Sequence, residues 1–364
     1  MHNDLLYQVS LTLVPNIGDV YAKALINHFG NAEDIFKAKK KDLTETLGPS
    51  RAASIKEFTD FEKAEEEIDF IEKYKITPLF ITDKDYPQRL LNCYDSPAML
   101  YYRGTANLNQ SKIVAIVGTR NHNEYGKEVC EKLVTDLAGK NILIVSGLAF
   151  GIDSIAHKTA LKNDLETVGV LAHGLDRMYP AQNKSLAKEM VLHGGLLTDF
   201  RSKTNPDKQN FPKRNRIVAG ISDAIVVIES GIKGGSLITA ELGNGYNKEV
   251  FAIPGRSNDS KSVGCNYLIR SNKARLINSA EDLLEDMGWK EYKKPSAKKQ
   301  RELFIELTDD EKIIVSILQA KEQIHIDELY IKSGLSSSAV ASGLLTLEMQ
   351  NVVSSLPGKM YKLI

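Results

Sequence analysis

Five short segments of this chain, Ile113–Val117, Ile142–Val145, Val168–Leu171, Ala224–Ile228 and Val250–Ile253, are nearly all apolar and rich in β-branched residues. Strands buried on both faces have this composition, as in a parallel sheet covered by helices. The stretches between them are long enough for crossover helices. The pattern predicts an α/β fold, a Rossmann-like, doubly wound, mostly parallel sheet spanning residues 76–287.

The flanks differ in texture. Residues 1–75 read as helical, and Leu13–Leu25 looks like a helix-hairpin-helix (SAM-like) module, with a weaker copy at Leu47–Ile55. In DNA-binding versions the N–H groups of the turn take a phosphate. The acidic surroundings, Glu62, Glu65, Glu66, Glu67 and Asp69, favour a packing module instead. Residues 288–306 are polar and aperiodic, with Lys293, Lys294, Lys298, Lys299 and Arg301, and read as a linker. In residues 307–364, Thr308 caps an acidic first turn, further helical stretches follow, and Pro357-Gly358 turns between two apolar runs: a winged helix. Its third helix, Ser336–Glu348, has no Lys or Arg. A recognition helix normally brings cations to phosphates and an Arg, Asn or Gln to base edges. An auxiliary or protein-interaction module is therefore expected.

The chain's 47 Lys plus Arg balance 47 Asp plus Glu, so a nucleic-acid site requires segregated charge. Residues 201–216 supply it: Arg201, Lys203, Lys208, Lys213, Arg214 and Arg216 against Asp207 alone. Asn210–Gly220, where Lys213, Arg214 and Arg216 stand beside an apolar helical continuation, reads as a cationic loop. Beyond it, Gly234-Gly235-Ser236-Leu237-Ile238-Thr239-Ala240-Glu241 reads as a glycine turn opening a helix, which offers backbone N–H groups to an anion. Other glycine-bearing loops follow the expected strands: Gly118-Thr119-Arg120, Ser146–Asp153, and Ala172–Asp176 with Tyr179-Pro180 and Asn183 beyond. Ligands of open α/β sheets bind outside the carboxyl ends of the strands, so these loops define an anion site.

No Walker A loop or Gly-x-Gly-x-x-Gly follows the first strand, so neither ATP hydrolysis nor a cofactor is expected. Cys93, Cys130 and Cys265 lack metal-ligand spacing and read as reduced thiols; no metal is expected. No apolar run reaches membrane-spanning length, and the first residues lack a signal-peptide pattern, so a cytoplasmic location is expected. Asp153 is expected to cap its helix, and His157 to be a packed or solvent-edge residue rather than a metal ligand. Asp199 is a weak catalytic candidate. Phe211 suits either a base-stacking ring or a core anchor.

Four motifs in combination resemble the DprA/Smf family of DNA-processing proteins: Ser146-Gly147-x-Ala149-x-Gly151-Ile152-Asp153; Gly174-Leu175-Asp176 with Tyr179-Pro180-x-x-Asn183; Phe211-Pro212-x-Arg214-Asn215-Arg216; and Gly235-Ser236-x-x-Thr239-Ala240. Asp83-x-Asp85-Tyr86-Pro87, Ser96-Pro97 and Tyr102-Arg103-Gly104 resemble the family's entry to the Rossmann-like domain. The resemblance spans about residues 76–290. It implies a single-stranded DNA-binding protein of DNA uptake and natural transformation. Such a protein protects incoming strands, loads the RecA recombinase, and works as a homodimer or higher assembly through the Rossmann-like domain, without catalysis. Carried over by motif, the DNA site comprises Arg120, Gly147, Gly151, Lys184, Lys213, Arg214, Asn215, Arg216, Gly235, Ser236 and Thr239. The glycine turns would bind phosphates, with Arg120, Lys184 and the 213–216 cluster supplying charge.

A second reading is enzymatic. Nucleoside-5′-monophosphate phosphoribohydrolases of the LOG group use a related fold and a Gly-Gly-x-Gly-Thr-x-x-Glu motif. Gly234, Gly235 and Glu241 match its spacing, whereas Leu237 and Ile238 replace its Gly-Thr. Release of adenine from AMP separates the two readings.

Overall fold

Nine strands, β1 (Thr77–Phe80), β2 (Met99–Gly104), β3 (Ile113–Val117), β4 (Leu143–Ser146), β5 (Thr167–Val170), β6 (Gly194–Thr198), β7 (Ala224–Val227), β8 (Glu249–Ala252) and β9 (Arg275–Leu276), form one sheet in the order β1-β2-β6-β5-β4-β3-β7-β8-β9. The computed structural model describes residues 2–290, 307–321, 323–350, 352–356 and 358–364, in two units, Met1–Lys290 and Glu291–Ile364. From β6 to β9 every neighbouring pair is parallel. The hairpin β1–β2 joins the β6 edge antiparallel. This is the mixed α/β fold expected from the apolar runs.

Side chains alternate across the pleat. Ile113, Ala115 and Val117 enter one apolar core while Val114 and Ile116 enter the other. Val145 and Val227 follow the first set, Ile144 and Val226 the second. Two-sided burial is why these strands are apolar at every position. β6 carries a weaker signal because it opens on Gly194-Gly195, and glycine lowers strand propensity. The close packing explains the glycines: a Cβ on Gly194 would strike the Thr167 backbone, and one on Gly195 the Tyr102 ring.

The chain winds from β3 through β4 and β5 to β6 on one side, then returns to place β7 on the other side of β3 and continues to β8. The direction of winding reverses between β3 and β7. The crevice outside their carboxyl ends is therefore the preferred ligand position of such a sheet.

Residues 1–75 form six helices, from His2–Leu11 to Phe61–Lys73. They do not form a separate body. Val9, Leu25, Ile35, Leu43 and Ile68 belong to the same buried cluster as Ile113 and Val145. Polar contacts reinforce the junction. Lys23 Nζ donates to the carbonyls of Leu91 and Cys93 at 2.8 and 3.1 Å, and the Ala98 N–H donates to Asp19 Oδ1 at 3.0 Å. Glu66 pairs with Lys203 at 2.8 Å, and the buried carboxylate of Glu67 accepts from the Ser202 N–H and hydroxyl. The acidic helix thus takes up part of the basic segment's charge.

In the second unit, helices Asp309–Gln319, Ile326–Ser333 and Ser337–Met349 pack on a three-stranded sheet, β10 (Ile324–His325), β12 (Met360–Leu363) and β11 (Val353–Leu356), in that order. Ile314, Leu318, Leu329, Val340, Leu344 and Leu347 form its own core. Thr308 and Glu311 complete a capping box at the first helix, as Thr308 implied. Of the linker expected at 288–306, Trp289 packs on the sheet unit and residues 291–306 lie outside the described residues.

Each unit has its own core, so a chain ending at Lys290 should unfold in one cooperative transition. Its midpoint should lie within a few degrees of that of the same unit in the full chain. Calorimetry of both chains checks this; a truncated chain without a transition contradicts the division.

Candidate nucleic-acid interface

The carboxyl ends of β3, β4 and β7 open into a groove of about 330 Å³ at the reversal point. It is lined by Gly118, Arg120, Gly147, Arg214, Asn215, Gly235, Ser236 and Thr239, among others. Seven of the residues expected from the motifs therefore meet in one place: Arg120, Gly147, Arg214, Asn215, Gly235, Ser236 and Thr239.

The Gly235 turn behaves as an anion terminus. The helix Gly235–Gly245 begins after Gly234 with no side-chain cap. The N–H groups of Gly235 and Ser236 have no acceptor among the described residues. Nothing lies within 4 Å of where a Cβ on Gly235 would stand, so this backbone faces open groove. Ser236 Oγ turns inward to Ser230 Oγ at 2.8 Å, leaving its N–H rather than its hydroxyl to a ligand. Asn215 Nδ2 donates to Gly235 O at 3.3 Å and ties the turn to the opposite wall.

Arg120 is exposed, with its guanidinium carbon 4.9 Å from the centroid of Phe211. Phe211 is half-buried against Tyr179, whose ring is 46% exposed. It is packed on one side and stands beside a cation on the other. Phe150 is exposed on the same rim.

The cluster at 213–216 differs from expectation. Asn210 begins a helix, Asn210–Ile221, so Lys213, Arg214 and Arg216 are helical rather than on a loop, whereas Arg201, Lys203 and Lys208 precede the helix. At 3.6 residues per turn, Arg214 and Arg216 lie about 200° apart. Arg214 faces the sheet, is 5% exposed, and donates from Nη1 to Val170 O at 2.5 Å. Gly147 makes room for it: a Cβ there would overlap the Arg214 guanidinium and the Asp153 carboxylate. Burial lowers the Arg214 pKa and Asp153 opposes that shift; a guanidinium still keeps its proton. Arg214 thus contributes fixed charge at the groove floor.

Arg216 does not face the groove. Its Nη2 pairs with Asp19 at 2.7 Å and with Asp199 at 2.8 Å, and Nη1 donates to Asp95 O. Burial works against its charge, but the two carboxylates more than compensate and raise its pKa. Asp199, read as a weak catalytic candidate, is the less exposed of the two carboxylates in this cluster; desolvation raises its own pKa. Asp19 opens the second helix of the apparent hairpin module, so that turn is engaged in docking. Lys213 and Lys184 are exposed and lie outside the groove lining. Gly151 also lies behind the groove. Its φ of 79° suits glycine, and a Cβ would strike the backbone of Thr119 and Arg120. Its role is to seat the Arg120 loop.

Buried polar groups hold the Ser146–Gly151 loop. Asp153 sits one residue inside its helix rather than capping it, and accepts from the Ala149 N–H at 3.3 Å. Ser154 donates to Ala149 O, and Asn183 to Leu148 O at 2.9 Å, which gives the Asn183 motif position a structural task. His157 is fully buried, as a packed histidine should be. Its Nε2–H donates to Gly147 O at 2.5 Å, and Nδ1 lies 2.6 Å from Thr167 Oγ1. No sequence motif marked this hydrogen bond, which fixes the groove's central carbonyl. Among the described residues no cluster of potential ligands could hold a metal.

Two outcomes follow. Arg216→Ala leaves two carboxylates without their cation and should cost about 3–5 kcal/mol in urea unfolding, against about 0.5 kcal/mol or less for Lys213→Ala. Burial lowers the His157 pKa to about 4 from 6.5. The unfolded ring gains its proton first as pH falls. The stabilisation is therefore full above pH 6.5 and lost towards pH 4, by up to about 3 kcal/mol. Protonation of Asp153 and Asp199, whose pKa values are raised, acts in the opposite sense. The measurement is the difference in stability-against-pH slope between the wild type and His157→Gln; equal slopes would remove His157 from the account.

Known proteins resemble this chain in sequence and fold. The sequence model for "DNA recombination-mediator protein A" matches residues 77–288, and that for "DprA winged helix domain" matches residues 297–359. Protein Smf of Synechocystis is 32% identical, with 98% of each chain covered. DNA processing protein DprA of Bacillus subtilis is 40% identical over 58% of this chain and 71% of its own. Among solved structures, DprA of Streptococcus pneumoniae aligns with a TM-score of 0.67 and 31% identity, covering 77% of this chain and 96% of its own. DNA processing protein A of Helicobacter pylori, described for its single-stranded DNA binding mode, aligns with a TM-score of 0.54 and 30% identity over 59% of this chain and 96% of its own. On sequence and fold, the chain belongs to the DprA/Smf family of DNA-processing proteins.

Proposed function

We propose that this protein binds single-stranded DNA during DNA uptake and natural transformation, protects the incoming strand, and delivers it to the RecA recombinase. The observation that carries the reading is the uncapped Gly235–Ser236 terminus facing Arg120 and Asn215 across one open groove. Two N–H donors, a helix dipole and a cation there address a phosphate, and the rings of Phe211 and Tyr179 stand on the rim where bases would stack. The binding mode described for the Helicobacter pylori relative supports the ligand class. A stiff duplex presents a second strand and paired bases as bulk, whereas a single strand bends into each turn. Delivery to RecA, homodimerisation through the sheet unit and a cytoplasmic place of work are proposed on the strength of family membership; no helix of the described residues is long and apolar enough to cross a membrane.

The winged helix is proposed as an auxiliary module. Its third helix, Ser337–Met349, has no cation and exposes Leu345 and Met349. The phosphoribohydrolase reading gains nothing from the groove. Glu241 is exposed and pairs with Lys273 at 3.2 Å, outside the groove lining. Incubation with AMP should release no adenine.

Fluorescence anisotropy across salt concentrations tests the assignment. Single strands should bind with little dependence on base order and more tightly than blunt duplex. Arg120→Ala should flatten the log–log salt slope by about 0.7 for each phosphate that the side chain no longer neutralises. Gly235→Asp adds an anion in open space and should abolish binding with the fold retained. Tighter binding to duplex at physiological salt would transfer DNA recognition to the winged helix.

A further inference from the structure

Beyond the Ser230–Gly235 turn, on the side away from the groove, the carboxyl end of β8 carries a second cavity of about 820 Å³. Its walls come from two segments that share no motif, Asn123–Tyr125 and Pro254–Ser262. The start of that turn packs beside the second segment: the Gly264 N–H donates to Ser230 O at 2.8 Å, and a Cβ on Gly231 would lie 3.5 Å from Ser260 O. β7 and β8 are adjacent parallel strands, so their ends are about 4.8 Å apart. The groove and the cavity therefore open at the same carboxyl edge, joined through the Glu229–Gly231 stretch that follows β7.

The cavity is held open by satisfied polar groups. Glu229, 2% exposed, accepts from the Asn123 N–H at 3.2 and 3.3 Å. Asn123 Oδ1 accepts from the Gly126 N–H, and Nδ2 donates to Asp259 Oδ2 at 3.2 Å. Ser262 and the Lys261 N–H supply further donors to Asp259. Gly255 is pinned on both sides by the Asn266 amide. Tyr125 donates to Pro254 O at 3.0 Å while its ring remains 47% exposed. The groups left for a ligand are the Tyr125 ring, the Asn258 amide and the Arg256 guanidinium; the last two are exposed and have no partner among the described residues.

The chemistry of these groups selects the ligand. Arg256 and Lys261 are offset by Asp259 and Glu229, so the cavity is close to neutral and does not favour a phosphate. A ring face, an amide that both donates and accepts, and a planar guanidinium suit a flat, uncharged heterocycle with hydrogen-bonding edges. We propose that this cavity receives a nucleobase of the bound strand, stacked on Tyr125, where the strand continues past the Gly235 terminus over the carboxyl edge of the sheet. The assignment rests on the single-strand reading above and extends its path from β7 to β8.

The test uses the full chain and single-stranded oligonucleotides carrying one 5-iodouridine at successive positions. Irradiation followed by peptide mapping should place crosslinks on Tyr125 or within residues 254–262 from one or two adjacent positions. An abasic residue at that position should weaken wild-type binding about tenfold. Tyr125→Leu should cost the same factor, and the two changes together no more than either alone. Tyr125→Phe, which keeps the ring, should retain most of the affinity. Crosslinks confined to Phe150, Tyr179 and Phe211, or fully additive losses, overturn the assignment while leaving single-strand binding intact. Labelling of Tyr125 by 8-azido-AMP that saturating single strand does not protect also overturns it, because the base would then come from a free nucleotide. A wild-type chain that binds no single strand removes the functional reading and this cavity's role together.

Discussion

The parallel register from β6 to β9 is the constraint from which the remaining features follow. Parallel pairing points every carboxyl end to the same edge, and the reversal of winding beside β3 separates the loops there. The Arg120 loop, the Gly147 loop and the Gly235 turn each come from a different strand, yet they open on one groove because their strands share a direction. The helix Asn210–Ile221 completes the wall, held at its core face by Arg214 on Val170 O. No single motif builds the site; the sheet assembles it.

Much of the polar chemistry beneath the groove is structural. His157, Asn183, Ser154 and Asp153 all bond to the backbone of one loop, residues 147–149. Each such bond contributes about 1 kcal/mol net, and losing a partner costs about 1–3 kcal/mol because the group left behind is buried. Arg216 with Asp19 and Asp199 follows the same logic with charges. Residues that look functional in a linear motif are here divided between the ligand and the scaffold that holds the loops.

The fold was legible because two-sided burial leaves a mark at every position of a strand, as at Ile113–Val117. The Gly235 terminus was legible because glycine before a helix has a local meaning. What escaped is set by geometry across distance. Arg214 and Arg216 sit two residues apart, and only the helix they lie on sends them to opposite sides. The pairing of Glu66 with Lys203 joins segments 137 residues apart. β6 is only weakly marked, because its two glycines shorten the apolar run. The β8 cavity draws Tyr125 and Asn258 from segments with no common motif, so nothing in the linear order brings them together.

The Asn210–Ile221 helix carries a consequence for how the groove responds to ligand. Its Arg214 face holds the sheet and its Arg216 face holds the amino-terminal helices, so turning it to widen the groove would break hydrogen bonds on both sides at once. The groove is therefore preorganised. For the single strand proposed as ligand, the cost of ordering would then fall on the DNA rather than on the protein. A flexible single strand, unlike a duplex, could supply that adjustment.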